Sequence, residues 1–174
     1  MINALSNRSA YPCLDQNIYL NQASLGLLSN ETVNEMTEFL STVARYGNLK
    51  MTDREEANFL SPLRGKVARL LQAKQENIAL VSSASEILSQ IPELCKPRIG
   101  SKVLLVSTDF PAITRPWLLK AKTSDFEVCF IHEVPEIDLT NAIIEKVDPN
   151  TSVVCLSYVQ FASGTQVNVE KLSQ

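Results

Sequence analysis

The sequence predicts an α/β fold: a mostly parallel sheet with flanking helices. Three observations carry that expectation. Short apolar runs at residues 77–82, 102–107, 126–131 and 151–157 alternate with stretches whose apolar residues recur at helical spacing. Several runs are almost continuously apolar, as in Lys102-Val-Leu-Leu-Val-Ser107, the pattern of strands covered on both faces. The 174 residues, 45% hydrophobic and 20% charged, are enough for one core or two small ones without disulfide staples.

Residues 1–17 read as an irregular N-terminal arm, 18–20 as a short apolar stretch and 21–28 as a loop. From Asn30, the apolar residues Val33, Met36, Leu40 and Val43 share one helical face, and Gly47 with Asn48 ends that helix. Asp53 with Glu56 makes a capping-box-like start for a second helical stretch, carrying Leu60, Leu63, Val67, Leu70 and Leu71. Pro62 interrupts it. Either the helix kinks there, or Ser61 caps a new helix with Pro62 at its first position. After the first apolar run, helix signals resume at Ser83 and continue to about Leu94. A helix over 112–122, disturbed early by Pro116, separates the second and third runs. An amphipathic helix over 138–147 separates the third and fourth. A last helix begins at Asn168. The chain divides into an arm and helix over 1–50 and an α/β portion over 51–174.

Composition excludes several classes. Sixteen basic residues against nineteen acidic ones give a net charge of −3, and the charges are scattered, so nucleic acid is not an expected partner. Cys13, Cys95, Cys129 and Cys155 lack CxxC spacing and only His132 is available beside them, so no metal site is expected. Cys129 and Cys155 lie inside apolar runs and read as small buried hydrophobes. His132 has no Ser or Cys motif near it and reads as a surface or loop residue. No apolar run is long enough to span a membrane, and the polar N-terminus lacks the apolar centre of a signal peptide, so the expected compartment is the cytoplasm.

In a parallel α/β sheet ligands bind at the carboxyl ends of the strands, so function is sought in the turns after Ser82, Ser107 and Ser157. Ser82-Ser-Ala-Ser-Glu86 places small residues at a helix start, with Ser83 and Glu86 in the S-x-x-E pattern. Free N–H groups and the helix dipole there suit a phosphate, although an ordinary capped helix explains the same residues. In Ser107-Thr-Asp-Phe-Pro-Ala112, Phe110 is held by a rigid turn and either stacks on a flat ring or plugs the strand end. In Ser157-Tyr-Val-Gln-Phe-Ala-Ser-Gly164, Gln160 offers both donor and acceptor and Gly164 suits a positive-φ turn or a close backbone approach, although a structural loop explains the same residues. Tyr19-Leu-Asn-Gln-Ala-Ser-Leu-Gly26 has small and polar residues without helical period and suits a pocket wall or a subunit contact.

In this order and spacing, the four segments resemble the class V aminotransferase family of pyridoxal-phosphate enzymes, from about Ile18 to Gln174. The resemblance implies the first part of that family's large cofactor domain, preceded by an N-terminal helical arm. It implies pyridoxal phosphate as cofactor, with Ala84 and Ser85 at the phosphate, Phe110 stacked on the pyridine ring, and Gln160 near the ring hydroxyl. Phe161 stands where desulfurases of the family often carry an Asn. Asn21, Ala23 and Ser24 match the segment near the substrate carboxylate, with Gln22 replacing a common Asn or His. No catalytic residue is assigned. The family's ring-nitrogen aspartate and Schiff-base lysine lie beyond the segments matched here, so this stretch is expected to be an N-terminal part that is inactive alone. An amino-acid substrate and a homodimeric parent enzyme are implied, with transamination, desulfuration, epimerisation and β-elimination all open. Two alternatives stand beside this: a non-catalytic α/β module binding a phosphate or a partner, and one half of a split enzyme.

Overall fold

The computed structural model describes residues 7–174; residues 1–6 of the expected arm lie outside it. The chain forms two compact units, one ending at Ala79 and the other spanning Leu80–Gln174.

The first unit is helical. Two short 3-10 turns, Arg8–Ala10 and Pro12–Asp15, occupy the arm. Helix α1 spans Asn30–Tyr46. The Ser29 hydroxyl accepts from Thr32 N–H at its start, and Gly47 ends it at φ +57°. Helix α2 spans Asp53–Asn58. Its cap lies one residue earlier than the sequence suggests: Thr52 and Glu55, not Asp53 and Glu56, form the capping box. Threonine is also among the residues that cap helices, and Asp53 then adds its charge to the favourable first turn. Pro62 starts a new helix, α3, over Ser61–Leu70. Ser61 is not its cap; its hydroxyl accepts from the Gln75 amide at 2.9 Å. Among the described residues of this unit only Ala68 is buried, and Val33, Met36, Leu40 and Val43 on α1 are each at least 43% exposed.

The second unit holds the sheet. Helix α4 (Ala84–Cys95) leads into strand β1 (Ser101–Val106); α5 (Pro111–Ala121), β2 (Phe126–Ile131), α6 (Leu139–Lys146), β3 (Thr151–Cys155) and the short α7 (Val169–Leu172) follow. The strands are parallel in the order β2-β1-β3. Parallel neighbours need crossovers, which α5 and α6 supply. Alternation along β1 sends Val103 and Leu105 to one face, where they meet Trp117 of α5 and Phe126. Leu104 and Val106 go to the other, against Ile131, Leu139, Ile143 and Val167. The Asp138 side chain caps α6 and that of Asn168 caps α7.

Three of the four expected strands form. Residues 78–81 do not: the backbone is extended at Ile78, but no neighbouring strand pairs with the segment, and Val81 is exposed. Apolar composition makes a segment eligible for a sheet; a partner's N–H and C=O groups make it a strand. Pro116 and Pro92 both lie within continuous helices.

Because Ile143 is fully buried between α6 and β1, Ile143→Ala should lower stability by about 2–5 kcal/mol. Urea unfolding followed by circular dichroism measures this, and Val154→Ala, at a 38% exposed site on β3, should cost well under half as much.

Candidate functional site

The carboxyl ends of β1 and β3, together with the start of α4, gather most of the residues singled out in the sequence. Ser83 is extended at φ −160° and ψ 159°, and its hydroxyl accepts from Glu86 N–H at 3.2 Å. The reciprocal half of the box is displaced by one residue. The Glu86 carboxylate accepts from the Ser82 N–H at 2.8 Å and the Ser82 hydroxyl at 2.6 Å. Those two bonds, the hydroxyl's first, hold the Glu86 carboxyl below the usual carboxylate range. The geometry of any helix start leaves Ala84 and Ser85 N–H without intrahelical partners. Both residues are exposed.

Phe110 is the N-terminal boundary of α5. Pro111 after it keeps the backbone extended, at φ −59° and ψ 138°. Its ring is 49% exposed and meets Phe161 edge-on, with centroids 5.2 Å apart at 86°. Between α4 and α5 runs an open groove of about 970 Å³. Ser85 and Phe110 line it from the two helix starts, Arg115 and Leu119 from the side of α5, and the Glu93–Lys120 ion pair from further along. The structure therefore brings two expected residues, Ser85 and Phe110, to one surface.

Gln160 is placed differently. It is 1% exposed and does not line the groove. Its amide nitrogen donates to Asp109 at 3.3 Å and to the Ser157 carbonyl at 3.2 Å, while its Oε1 is buried without a partner. The loop that carries it is a small hairpin: Val159 bridges Gln166, Gln160 N–H donates to Thr165, and Gly164 turns the chain at φ +75°. Glu133 anchors its far side by accepting from the Thr165 hydroxyl, and from Thr108 at 3.0 Å. The Thr165 hydroxyl, and after it that of Ser163, holds the Glu133 carboxyl low as well.

Two residues of this region went unassigned in the sequence. Asp109 is 5% exposed and accepts from both loops, and Phe161 forms the second ring of the aromatic pair. An acidic residue in the turn three positions after the apolar end of β1 was the available signal for Asp109. Asn21, Ala23 and Ser24 lie in the first unit, where Asn21 carbonyl accepts from Ser24 and Leu25 in a tight turn, and all three are exposed. Burial pushes the thiols of Cys129 and Cys155 up, which keeps them protonated near neutrality. His132 is exposed beyond β2. Among the described residues no group of three or more His, Cys, Asp or Glu is placed to hold a metal, and no helix is long and apolar enough to cross a membrane.

The start of α4 and the exposed Phe110 ring thus border one open groove. The sequence model of the family described as aminotransferase class-V matches residues 18–174, and the chain belongs to that family. No curated protein sequence matches it. Similar solved structures include a lysine-to-alanine mutant of C-DES with glycine covalently linked to its PLP cofactor, at TM-score 0.80 and 16% identity. The cystine C–S lyase C-DES in complex with its reaction product, cysteine persulfide, is similar at TM-score 0.77 and 16% identity. The cysteine desulfurase CsdA from Escherichia coli is similar at TM-score 0.74 and 21% identity. The matches cover 97%, 94% and 94% of this chain and 45%, 44% and 43% of those chains, respectively. At these identities the likeness shows the fold, and the chain spans less than half the length of each.

A carboxyl held low in the folded state stabilises it above the unfolded pKa, and that stability is lost as the pH falls through the folded value. Acidification below the ordinary glutamate range should therefore weaken the Glu86 bonds to Ser82 and the Glu133 bonds to Thr165. Carboxyl-carbon shifts in an NMR pH titration should report midpoints for both below those of a peptide glutamate.

Proposed function

We propose that this chain supplies the phosphate-binding and ring-stacking part of a pyridoxal-phosphate site in an enzyme acting on an amino acid. The observation that supports this best is the shared groove of Ser85 and Phe110. The donor set fits the cofactor: the Ala84 and Ser85 N–H groups and the Ser85 hydroxyl suit a phosphate, and the exposed Phe110 ring suits a pyridine face. Gln160 fits less directly, since its amide nitrogen is already engaged within the fold. When bound, pyridoxal phosphate supplies an aldehyde that condenses with amino groups and a ring that accepts electrons.

In this reading Ser83 holds the start of α4 open by capping Glu86, Ala84 presents its backbone closely because its side chain is small, and Ser85 adds a hydroxyl donor. Phe110 fixes the plane of the ring. Asn21, Ala23 and Ser24 are the substrate-carboxylate residues. Residues 51–174 make up the partial cofactor domain behind the arm of residues 1–50. None of the lysines within these 174 residues serves as the Schiff-base lysine, so the chain alone is inactive. The amino-acid substrate, a homodimeric whole enzyme and a cytoplasmic location belong to the same reading and rest on the family.

Pyridoxine 5′-phosphate, which lacks the aldehyde, tests the binding half by its own fluorescence. It should bind the chain, and Phe110→Ala should weaken it by roughly 3- to 10-fold through loss of the stacked ring. Borohydride reduction of the chain with pyridoxal phosphate, followed by peptide mass mapping, tests the other half. Scattered, substoichiometric labelling is expected. Stoichiometric labelling of a single lysine contradicts the inactive reading, and phosphate binding that ignores Phe110 favours a non-catalytic phosphate-binding module.

A further inference from the structure

Asp109 stands at the one point where the loops after β1 and β3 touch through hydrogen bonds. Its Oδ1 accepts from the Phe110 N–H at 2.7 Å and the Ser157 hydroxyl at 2.6 Å. Its Oδ2 accepts from the Ser157 N–H at 2.6 Å and the Gln160 amide at 3.3 Å. The residue is 5% exposed. Four donors converge on one carboxylate, and two of them are backbone N–H groups that cannot turn away. A carboxylate is the side chain that accepts on both oxygens in this way.

The consequence falls on the two rings. Pro111 restricts Phe110 from one side, and the bond from Phe110 N–H to its own neighbour's carboxylate restricts it from the other. Phe161 follows directly after Gln160, whose amide is bound to the same carboxylate. The Phe110–Phe161 edge contact thus joins two loops that are already tied at their roots by Asp109. The binding also orients Gln160. Both neighbours of its nitrogen are acceptors, so Oε1 points away from them and remains a buried acceptor.

We propose that Asp109 is the positioning residue of this site: its carboxylate holds the aromatic wall, Phe110 with Phe161, in the orientation that receives a flat ring. It is not a catalytic residue, since the groove is not lined by it. The inference rests on the proposed cofactor reading for the identity of the ring, and on the four hydrogen bonds for the positioning itself.

Asp109→Asn is the direct probe. Whichever way the amide turns, its NH2 group faces a backbone N–H, of Phe110 or of Ser157, so one anchor is lost while size and shape are kept. Two measurements on the whole 174-residue chain separate the outcomes. In amide hydrogen exchange, D109N should speed whichever of the Phe110 and Ser157 amides loses its acceptor by roughly 10-fold or more, while Leu104 in β1 stays unchanged. In ligand binding, D109N should weaken pyridoxine 5′-phosphate by roughly 10-fold. Inorganic phosphate, followed by ³¹P line broadening, should keep its affinity, because the hydrogen bonds of the Asp109 carboxylate go to Phe110, Ser157 and Gln160 and none to the start of α4. A general loss of structure would lower both. If D109N does not fold, Ser157→Ala removes one donor and keeps the carboxylate, and should show the same selectivity at smaller amplitude. Unchanged exchange at both Phe110 and Ser157, or equal losses for the two ligands, overturns the role of Asp109. Failure of the wild-type chain to bind pyridoxine 5′-phosphate overturns the cofactor reading instead, and the exchange result then decides the positioning role by itself.

Discussion

The second unit depends on β1 having a neighbour on each side and a helix on each face. Ser101–Val106 is the sole described strand with two partners, and both hydrophobic clusters are built on its alternate residues. With Val103, Leu104, Leu105 and Val106 each no more than 1% exposed, every β1 backbone group must find its partner in β2 or β3. Parallel pairing then dictates the rest. The chain has to cross the sheet between strands, and α5 and α6 cross on opposite faces, each bringing its apolar stripe onto β1. The strands consequently end together, and their following loops are delivered to one edge.

What happens at that edge is governed by polar contacts. Asp109 lies in the turn three residues beyond the end of β1, and it takes up donors from the chain 48 and 51 residues further on. Glu133 does the same at the end of β2, so the hairpin around Gly164 is held by two carboxylates, one buried and one near the surface. The buried one sits in a low-dielectric surrounding where each hydrogen bond counts for more and any loss of a partner is costly. A rigid edge of this kind suits a site that must hold a planar ligand in one orientation.

Local features of this architecture were legible in the sequence, and distant ones were not. Ser83 as a cap, Gly47 as a helix end and the positive φ at Gly164 depend on a few neighbouring residues, and each was expected where it occurs. Strands β1, β2 and β3 follow from their own apolar runs. Residues 78–81 carry an equally good run but have no strand beside them, and a sequence window cannot see an absent partner. The site divides in the same manner. Ser85 and Phe110 reach one groove because the starts of α4 and α5 both border it, Phe110 following β1 directly in the chain. The burial of Gln160 and the convergence on Asp109 arise from contacts across some fifty residues, which no local pattern encodes.

The central claim is that the start of α4 and the Phe110 ring together receive one phosphorylated pyridine. A crystal structure of the chain grown with pyridoxine 5′-phosphate measures this most directly. The phosphate should lie on the Ala84 and Ser85 N–H groups, with the ring laid on Phe110. A ligand bound elsewhere, a phosphate at α4 with its ring turned away from Phe110, or crystals without ligand at saturating concentration would contradict it.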